Sequence, residues 1–300
     1  MVVVTVAGKL NDANFQKAKK AAEFLADAEP ELSANVVSLL PLDYDLFLPA
    51  ILPSFPEVKK HAGPVLCYVG EPGVDASYVG DVDAFMSWCS SEYGYEDATH
   101  EIFYERLAKT HMRGFLEKTG RDYCKMDVTI DGELEGTLLL ELFTDIAPKT
   151  CANFMAFAVG DGEKTGGRKY EGCPVHRVAP GGWFQAGDVL DGNGLGVTSS
   201  YGEGVTFADE TFEVKHDKPG IIAMAASKKH GNGCQFYVTQ QPLAFLDNRR
   251  VAFGRVVDGL RVMKALDREK ITDFERPVRD VRIGKCEKFA VGAVEEKESE

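Results

Sequence analysis

The chain is short of basic residues and of long apolar runs. Its 300 residues include 34 Lys+Arg against 47 Asp+Glu, a formal net charge of −13. A nucleic-acid partner requires a basic face, so this balance argues against one, and it gives acidic or neutral partners no long-range attraction. No apolar run approaches the roughly 20 residues of a membrane-spanning helix. The first residues, MVVVTVAG, lack the basic start of a secretory signal peptide.

The cysteine pattern excludes two further kinds of site. The seven cysteines are odd in number, widely spread and free of any C-x-x-C pair. Such a pattern is typical of reduced thiols and fits neither a disulfide framework nor a zinc site. We therefore expect a cytoplasmic protein with no metal, and nothing in the sequence indicates a cofactor.

Residues 1–96 have the pattern of a small α/β domain. The β-branched run MVVVTVAG precedes a stretch with apolar residues at helical spacing, and the runs PVLCYVG and SYVGDV predict a hairpin ahead of a helix at 82–92. The order β-α-β and then β-β-α predicts one α/β layer. Residues 97–125 carry apolar side chains on one side and predict an amphipathic linker helix.

The pattern changes at residue 126 to short alternating strands with frequent glycine. Two helical stretches, APKTCANFMAFAVG and GLRVMKALDR, interrupt the strands. Many short strands with glycine-rich turns predict a barrel or a sandwich for residues 126–289. The charged residues 290–300 predict an acidic, disordered tail.

One motif in this half, HRVAPGGWFQAGD, places an arginine and a glutamine in a half-buried hairpin. Residues two apart in a strand share a face, so Trp183 lies beside Gln185, and Gln235 lies beside Tyr237 in NGCQFYVT. Together with Arg177 they predict an apolar pocket lined by amide donors and one cation. No Ser-His-Asp or Cys-His set accompanies them, which argues against covalent or ordinary acid–base catalysis. The alternative is that these polar groups are satisfied members of the core.

The residues from about Met126 to Phe289 resemble the cyclophilins, peptidyl-prolyl cis–trans isomerases with an eight-stranded barrel capped by two helices. The matching motifs follow one another in order: ELFTDIAPKTCANF, HRVAPGGWFQAGD, HDKPGIIAMAA, GNGCQFYVT and FLDNRRVAFGRVVDGL. The PGGW turn, the segment ERPVRDVRI and the N-terminal extension look most like the isomerase-like 6 branch of that family.

The resemblance implies a role for each matching residue. Arg177 matches the catalytic arginine, and Gln185 and Gln235 match the glutamines that hold the arginine and the substrate backbone. The remaining positions match the substrate pocket: Trp183, Ala225, Ala226, Tyr237, Phe245, Leu246 and Arg250. The family needs no cofactor, and its ligands are proline-containing peptides or proteins.

Several positions depart from the family pattern. Gly182 replaces a pocket phenylalanine, Phe245 replaces a tryptophan that favours cyclosporin, and Arg250 replaces a histidine. Ala226 also replaces an asparagine. These departures predict reduced isomerase activity and, at most, weak cyclosporin binding. They leave open a second hypothesis, a scaffold that binds proline-containing segments with little turnover. The isomerase-like 6 resemblance makes a ciliary or flagellar assembly one setting for it.

The N-terminal domain resembles the thioredoxin/glutaredoxin fold over about residues 1–95. Pro64 precedes the strand VLCYV, where that fold often has a cis-proline. The loop after the first strand, AGKLNDANF, has no cysteine in the redox position. We therefore expect no thiol–disulfide chemistry at that position. The domain is instead expected to dock an assembly partner.

Overall fold

The computed structural model describes residues 2–225 and 231–290, and the chain divides into two compact units between Thr119 and Gly120. None of the helices in these residues is long and apolar enough to cross a membrane. All seven cysteines are free thiols, and six of them are buried. The predicted tail lies, from residue 291 onward, outside the described residues.

The first unit contains a mixed four-stranded sheet in the order β2-β1-β3-β4. Strand β1 pairs with β2 in parallel and with β3 in antiparallel orientation, and β3 and β4 form the predicted antiparallel hairpin. The elements are β1 (Val2–Lys9), α1 (Ala13–Ala28), β2 (Leu32–Leu39), α2 (Pro41–Ile51), a 3-10 turn (Leu52–Ser54), β3 (Val65–Val69), β4 (Ser77–Gly80), α3 (Val82–Tyr93) and α4 (Glu101–Thr119).

Helix α1 begins where the sequence supplies a cap and an apolar stripe. The carboxylate of Asp12 accepts hydrogen bonds from the backbone N–H groups of Asn14 and Phe15, which have no partner within the helix. Phe15 and Leu25 face the sheet and are buried. A side chain at Gly8 would collide with the Phe15 ring, so the glycine allows the helix to approach β1. The described residues contain no cis peptide bond, so Pro64 is preceded by a trans peptide.

Helix α4 is shorter than the predicted linker helix and packs within the first unit. It spans Glu101–Thr119, whereas residues 122–125 of the predicted stretch lie in the next strand. His111 Nδ1 lies 2.8 Å from Gln16 Oε1 on α1. The ammonium group of Lys20 lies 4.9 Å from the Phe103 ring centroid. The buried face of α4 therefore packs on α1, which the amphipathic pattern alone did not reveal.

The second unit contains an eight-stranded antiparallel sheet in the order β12-β5-β6-β11-β9-β10-β8-β7. The elements are β5 (Asp122–Ile130), β6 (Glu133–Leu142), α5 (Pro148–Val159), α6 (Gly162–Thr165), β7 (Arg177–Ala179), β8 (Trp183–Ala186), β9 (Ile221–Met224), β10 (Phe236–Thr239), a 3-10 turn (Ala244–Leu246), β11 (Ala252–Asp258), α7 (Leu260–Asp267) and β12 (Val281–Phe289).

The two edges of this sheet meet through the segment that precedes β7. The Gly172 and Val175 N–H groups donate to the carbonyls of Ile283 and Val281 at 2.8 and 2.9 Å, and the Ile283 N–H donates to Cys173 at 2.9 Å. The sheet therefore curls round on itself, which satisfies edge groups that would otherwise be open. Its interior contains aromatic rings around Phe154 of α5, whose centroid lies 5.1 Å from that of Phe236.

Candidate functional site

The candidate site begins in the hairpin of β7 and β8. Arg177 pairs directly with Gln185 across the two antiparallel strands, so their side chains project from the same face. Gly182 N–H donates to the Ala179 carbonyl at 2.8 Å, and Gly181 has a φ of 64°, which favours glycine in a turn. The Asp267 carboxylate at the end of α7 accepts from the Gly181 N–H at 2.7 Å.

Strand β10 extends this row of side chains to a third strand. Tyr237 pairs with Gln185, and Thr239 pairs with Trp183. Arg177, Gln185 and Tyr237 therefore lie side by side on one face of the sheet. The sequence predicted this shared face from the two-residue periodicity, and the register confirms it.

An apolar cluster lies beside this row. Its buried members are Ile221, Ala223, Tyr237 and Ala252, and the side chains packed against them are Trp183, Val214, Ala225 and Leu246. The Trp183 ring centroid lies 5.9 Å from that of Tyr237. Trp183 thus supplies an aromatic wall next to Gly182. Apolar side chains beside a few convergent polar groups are the usual lining of a ligand site.

The two glutamines bond to each other and to a neighbouring loop. Gln185 Nε2 donates to Gln235 Oε1 at 2.9 Å. Gln235 Nε2 donates to the carbonyls of Gly194 and Gly196 at 3.0 and 2.8 Å. The loop that bears these carbonyls is organised by the buried Asp188, which accepts backbone N–H bonds from Leu190, Asp191, Gly194 and Gly196. Burial opposes ionisation of Asp188, but these N–H groups lower its pKa.

Arg177 is held by different partners from those that the sequence suggested. Its Nε–H donates to Glu275 Oε2 at 2.5 Å, and its guanidinium carbon lies 5.1 Å from the Trp183 ring centroid. The glutamines were expected to hold the arginine, yet their bonds go to each other and to the loop at Gly194. The Arg177 side chain is 43% exposed, so solvent and a ligand can reach the cation.

A chain of hydrogen bonds links Tyr237 of the apolar cluster to a buried histidine and a carboxylate. Asp247 Oδ1 lies 3.0 Å from His216 Nδ1, and His216 Nε2 lies 2.8 Å from the Tyr237 hydroxyl. The two rings stack with an angle of 13° between their planes. Burial lowers the pKa of His216, although the bond to Asp247 opposes this, and burial raises the pKa of Tyr237. Sequence reasoning missed His216 and Asp247, although both lie in motifs that carried the family resemblance.

The other predicted positions lie at the margin of the pocket or elsewhere. Phe245 is 59% exposed, while Arg250 is partly buried and its charge acts on Tyr237. Ala226 lies outside the described residues. His176 precedes Arg177 and is buried against Gly194, where an added Cβ would lie 2.9 Å from the imidazole. The alternation along the strand predicted that His176 faces away from Arg177 and has a structural role; its imidazole lies against the loop that anchors Gln235.

The chemistry of this site is hydrogen bonding rather than proton transfer. Its polar groups are one guanidinium, which donates hydrogen bonds, and two amides, which donate and accept them, next to an apolar cluster. Within residues 2–225 and 231–290 there is no group of three or more His, Cys, Asp or Glu side chains that could hold a metal ion. The arrangement suits an apolar residue bound next to a peptide bond.

The fold and the site together define a cyclophilin-like domain. The sequence model of the cyclophilin-type peptidyl-prolyl cis–trans isomerase family matches residues 125–288. The chain belongs to this family, and the resemblance noted from its motifs is confirmed.

Its relatives include proteins that match nearly the whole chain. It is 33% identical over 287 residues to the Homo sapiens protein named probable inactive peptidyl-prolyl cis-trans isomerase-like 6, covering 93% of this chain and 89% of that protein. The Bos taurus protein of the same name is 32% identical, with 93% and 91% covered. The Homo sapiens NK-tumor recognition protein is 38% identical over 180 residues, which are 59% of this chain and 12% of that protein.

Proposed function

We propose that the second unit binds Xaa-Pro segments and catalyses their cis–trans isomerisation at reduced rate. The observation that supports this most directly is the row of Arg177, Gln185 and Tyr237 across three adjacent strands, beside the apolar cluster. The proline ring would pack between Trp183, Tyr237 and Leu246. The imide group of the substrate would then lie within reach of the guanidinium.

The physical task is to lower the barrier to rotation about the imide bond. Amide resonance gives a barrier of roughly 18–20 kcal/mol, and uncatalysed isomerisation of an Xaa-Pro bond takes tens to hundreds of seconds. Twisting localises the nitrogen lone pair, so a hydrogen bond from Arg177 strengthens in the transition state and lowers the barrier. The bond to Glu275 uses one of the five N–H donors of the guanidinium, so the group keeps donors for a substrate.

The second candidate function is a scaffold that binds proline segments with little turnover. The ion pair with Glu275 favours it, because a carboxylate on the guanidinium competes with the substrate. Gly182 also favours it, since the family has an aromatic wall at that position. The relatives named probable inactive are consistent with this reading for those proteins.

Exchange spectroscopy on a panel of Xaa-Pro peptides separates the two functions. With the full-length protein present, the isomerase proposal expects magnetisation exchange between the cis and trans proline signals faster than in buffer. Binding shifts without faster exchange would identify the scaffold instead. A panel that shows neither binding nor exchange would refute both.

For the first unit we propose a thioredoxin-like fold without redox chemistry that docks an assembly partner. Its support is the sheet order β2-β1-β3-β4, with the single parallel pair β1-β2 and helices α1 and α3 packed on the sheet. A cytoplasmic location, with a cilium or flagellum as the assembly setting, completes the proposal and rests on the motif resemblance to the isomerase-like 6 branch given under the sequence analysis. Imaging of the tagged full-length chain tests the location.

A further inference from the structure

A second hairpin, residues 270–278, reaches the candidate site from the far end of the chain. Three backbone hydrogen bonds close it. The Val278 N–H donates to the Lys270 carbonyl at 2.7 Å, the Thr272 N–H to the Arg276 carbonyl at 2.8 Å, and the Glu275 N–H to the Thr272 carbonyl at 2.9 Å. These bonds close a tight turn with Glu275 at a φ of 57°. A positive φ is uncommon for a residue other than glycine and is retained where the surroundings enforce it.

This hairpin is attached on both sides of the site. The Glu275 carbonyl accepts from the Val178 N–H of β7 at 2.7 Å, so the turn lies along the edge strand that bears Arg177. Arg276 Nη2 donates at 2.7 Å to the Asn193 carbonyl, in the loop that anchors Gln235. The Glu275 carboxylate is thereby held next to Arg177 by backbone contacts as well as by charge.

The exposed groups at the tip of the hairpin have chemistry that attracts cations. The Glu275 side chain is 38% exposed while it bonds to Arg177, and Phe274 beside it is 86% exposed. A carboxylate and the face of an aromatic ring both bind ammonium and guanidinium groups.

We propose that Glu275 and Phe274 form a specificity element that selects substrates with a lysine or arginine close to the proline. This rests on the isomerase function proposed above. A substrate cation that pairs with Glu275 draws its carboxylate away from Arg177. All the N–H groups of the guanidinium can then donate hydrogen bonds to the substrate imide group. A substrate without such a cation must compete with Glu275 for Arg177 and is turned over more slowly.

The size of the effect follows from the exposure of the ion pair. Pairs that are this exposed contribute at most about 1 kcal/mol, which corresponds to a factor of about five. We therefore expect a basic substrate to be preferred by about two- to fivefold over a neutral peptide of the same length. Glu275 tunes selectivity in this way without abolishing function.

The test compares Glu275→Gln with Asp273→Asn in the full-length chain. Both variants remove one negative charge from the same turn, and only the first removes the partner of Arg177. The peptides are identical Xaa-Pro sequences in which lysine or its neutral analogue norleucine scans the positions around the proline. The readouts are the exchange rate and, from the shift of the Trp183 indole N–H resonance on titration, the affinity.

The expected result is that the parent and Asp273→Asn share a lysine preference that Glu275→Gln loses, with the neutral peptide exchanging about two- to fivefold faster in Glu275→Gln. An unchanged preference in Glu275→Gln overturns the inference. If neither the parent nor the variants accelerate exchange, the proposed isomerase function is wrong. The peptide affinities then test the lysine preference by themselves. Tighter lysine-peptide binding that depends on Glu275 upholds the selectivity, and equal affinities overturn it.

Discussion

The two units bury a glutamine in the same way, yet only one of these residues adjoins a candidate site. In the first unit, Gln16 Nε2 donates to the Leu10 carbonyl at 2.8 Å and Gln16 Oε1 lies 2.8 Å from His111. In the second unit, Gln235 donates to a loop and accepts from Gln185. Both amides are satisfied, as buried polar groups generally are.

The difference lies in the surroundings of each amide. Gln16 ties helix α1 to α4 within a packed core, whereas Gln235 bonds to Gln185, which pairs across the strands with the half-exposed Arg177. A buried, satisfied polar side chain is therefore weak evidence for a site by itself. A site is indicated by a donor such as Arg177, which is half-exposed and uses one of its five N–H groups in the bond to Glu275.

Replacing Arg177 gives the largest effect that this comparison predicts. Arg177→Ala should remove the catalysed exchange of Xaa-Pro peptides, a loss of at least about a hundredfold, because one preorganised donor contributes about that much to catalysis. Arg113→Ala, on α4 of the first unit, is the matched control and should leave the exchange rate unchanged. Equal exchange rates in Arg177→Ala and in the parent would show that the site was assigned wrongly.

Cyclosporin affinity tests how strongly Phe245 and Gly182 alter the binding surface. Phe245 lacks the indole N–H of the usual tryptophan, so an acceptor of cyclosporin that is buried on binding stays unpaired at a cost of about 1–3 kcal/mol. Gly182 removes further apolar contact with the ligand. We expect binding at least one to two orders of magnitude weaker than in a cyclophilin with the usual residues. Calorimetric titration of the parent and of Phe245→Trp tests this, and Phe245→Trp should recover part of the affinity. Affinity in the parent equal to that of such a cyclophilin would show that Trp183 compensates fully for Gly182.

The stability of the second unit should depend on pH through His216. Burial lowers the pKa of His216 below its ordinary value of 6.5, so the unfolded chain binds the proton more readily than the folded one. Stability is therefore fully present above pH 6.5 and falls as the pH drops below it, by at most about 1.4 kcal/mol per pH unit for one proton. Hydrogen-exchange protection of the β9 and β10 amides, followed from pH 7.5 to 5, measures this loss.

Two histidine variants isolate that contribution. His216→Gln should make the protection of β9 and β10 less dependent on pH, whereas His100→Gln, at an exposed position of the first unit, should not. Identical pH dependence in the parent and in His216→Gln would show that His216 does not cause the loss of stability at low pH.

The smallest expected effect concerns the first unit, which should have no disulfide reductase activity. The loop before α1 has no cysteine, and Cys67 and Cys89 are buried, which raises the pKa of Cys89 to about 12 and that of Cys67 well above normal. A thiol with a raised pKa is a poor nucleophile at neutral pH. Insulin reduction by the parent should equal that of a variant with both cysteines replaced by serine. Faster reduction by the parent would contradict the assignment.

The sequence predicted what depends on local periodicity. The strands, the hairpin turn and the shared face of Gln185 with Trp183 follow from alternation and turn chemistry, and the register confirms them. Arg177 and Glu275 are 98 positions apart, and His216 and Tyr237 are 21 apart. No local pattern encodes such pairs, because they form only when the sheet curls and brings distant turns together. The packing of α4 on α1 was missed because its contacts also join residues far apart in the sequence, such as Gln16 and His111.

The most direct test follows the Arg177 side chain itself. In a full-length sample with isotope-labelled arginine and tryptophan side chains, an Xaa-Pro peptide is titrated while the Arg177 Nε–H and the Trp183 indole N–H resonances are observed. Both resonances should move together to saturation, while Arg113 Nε–H stays fixed. Saturation of Trp183 with no change at Arg177 would contradict this expectation, because the peptide would then bind without reaching the cation.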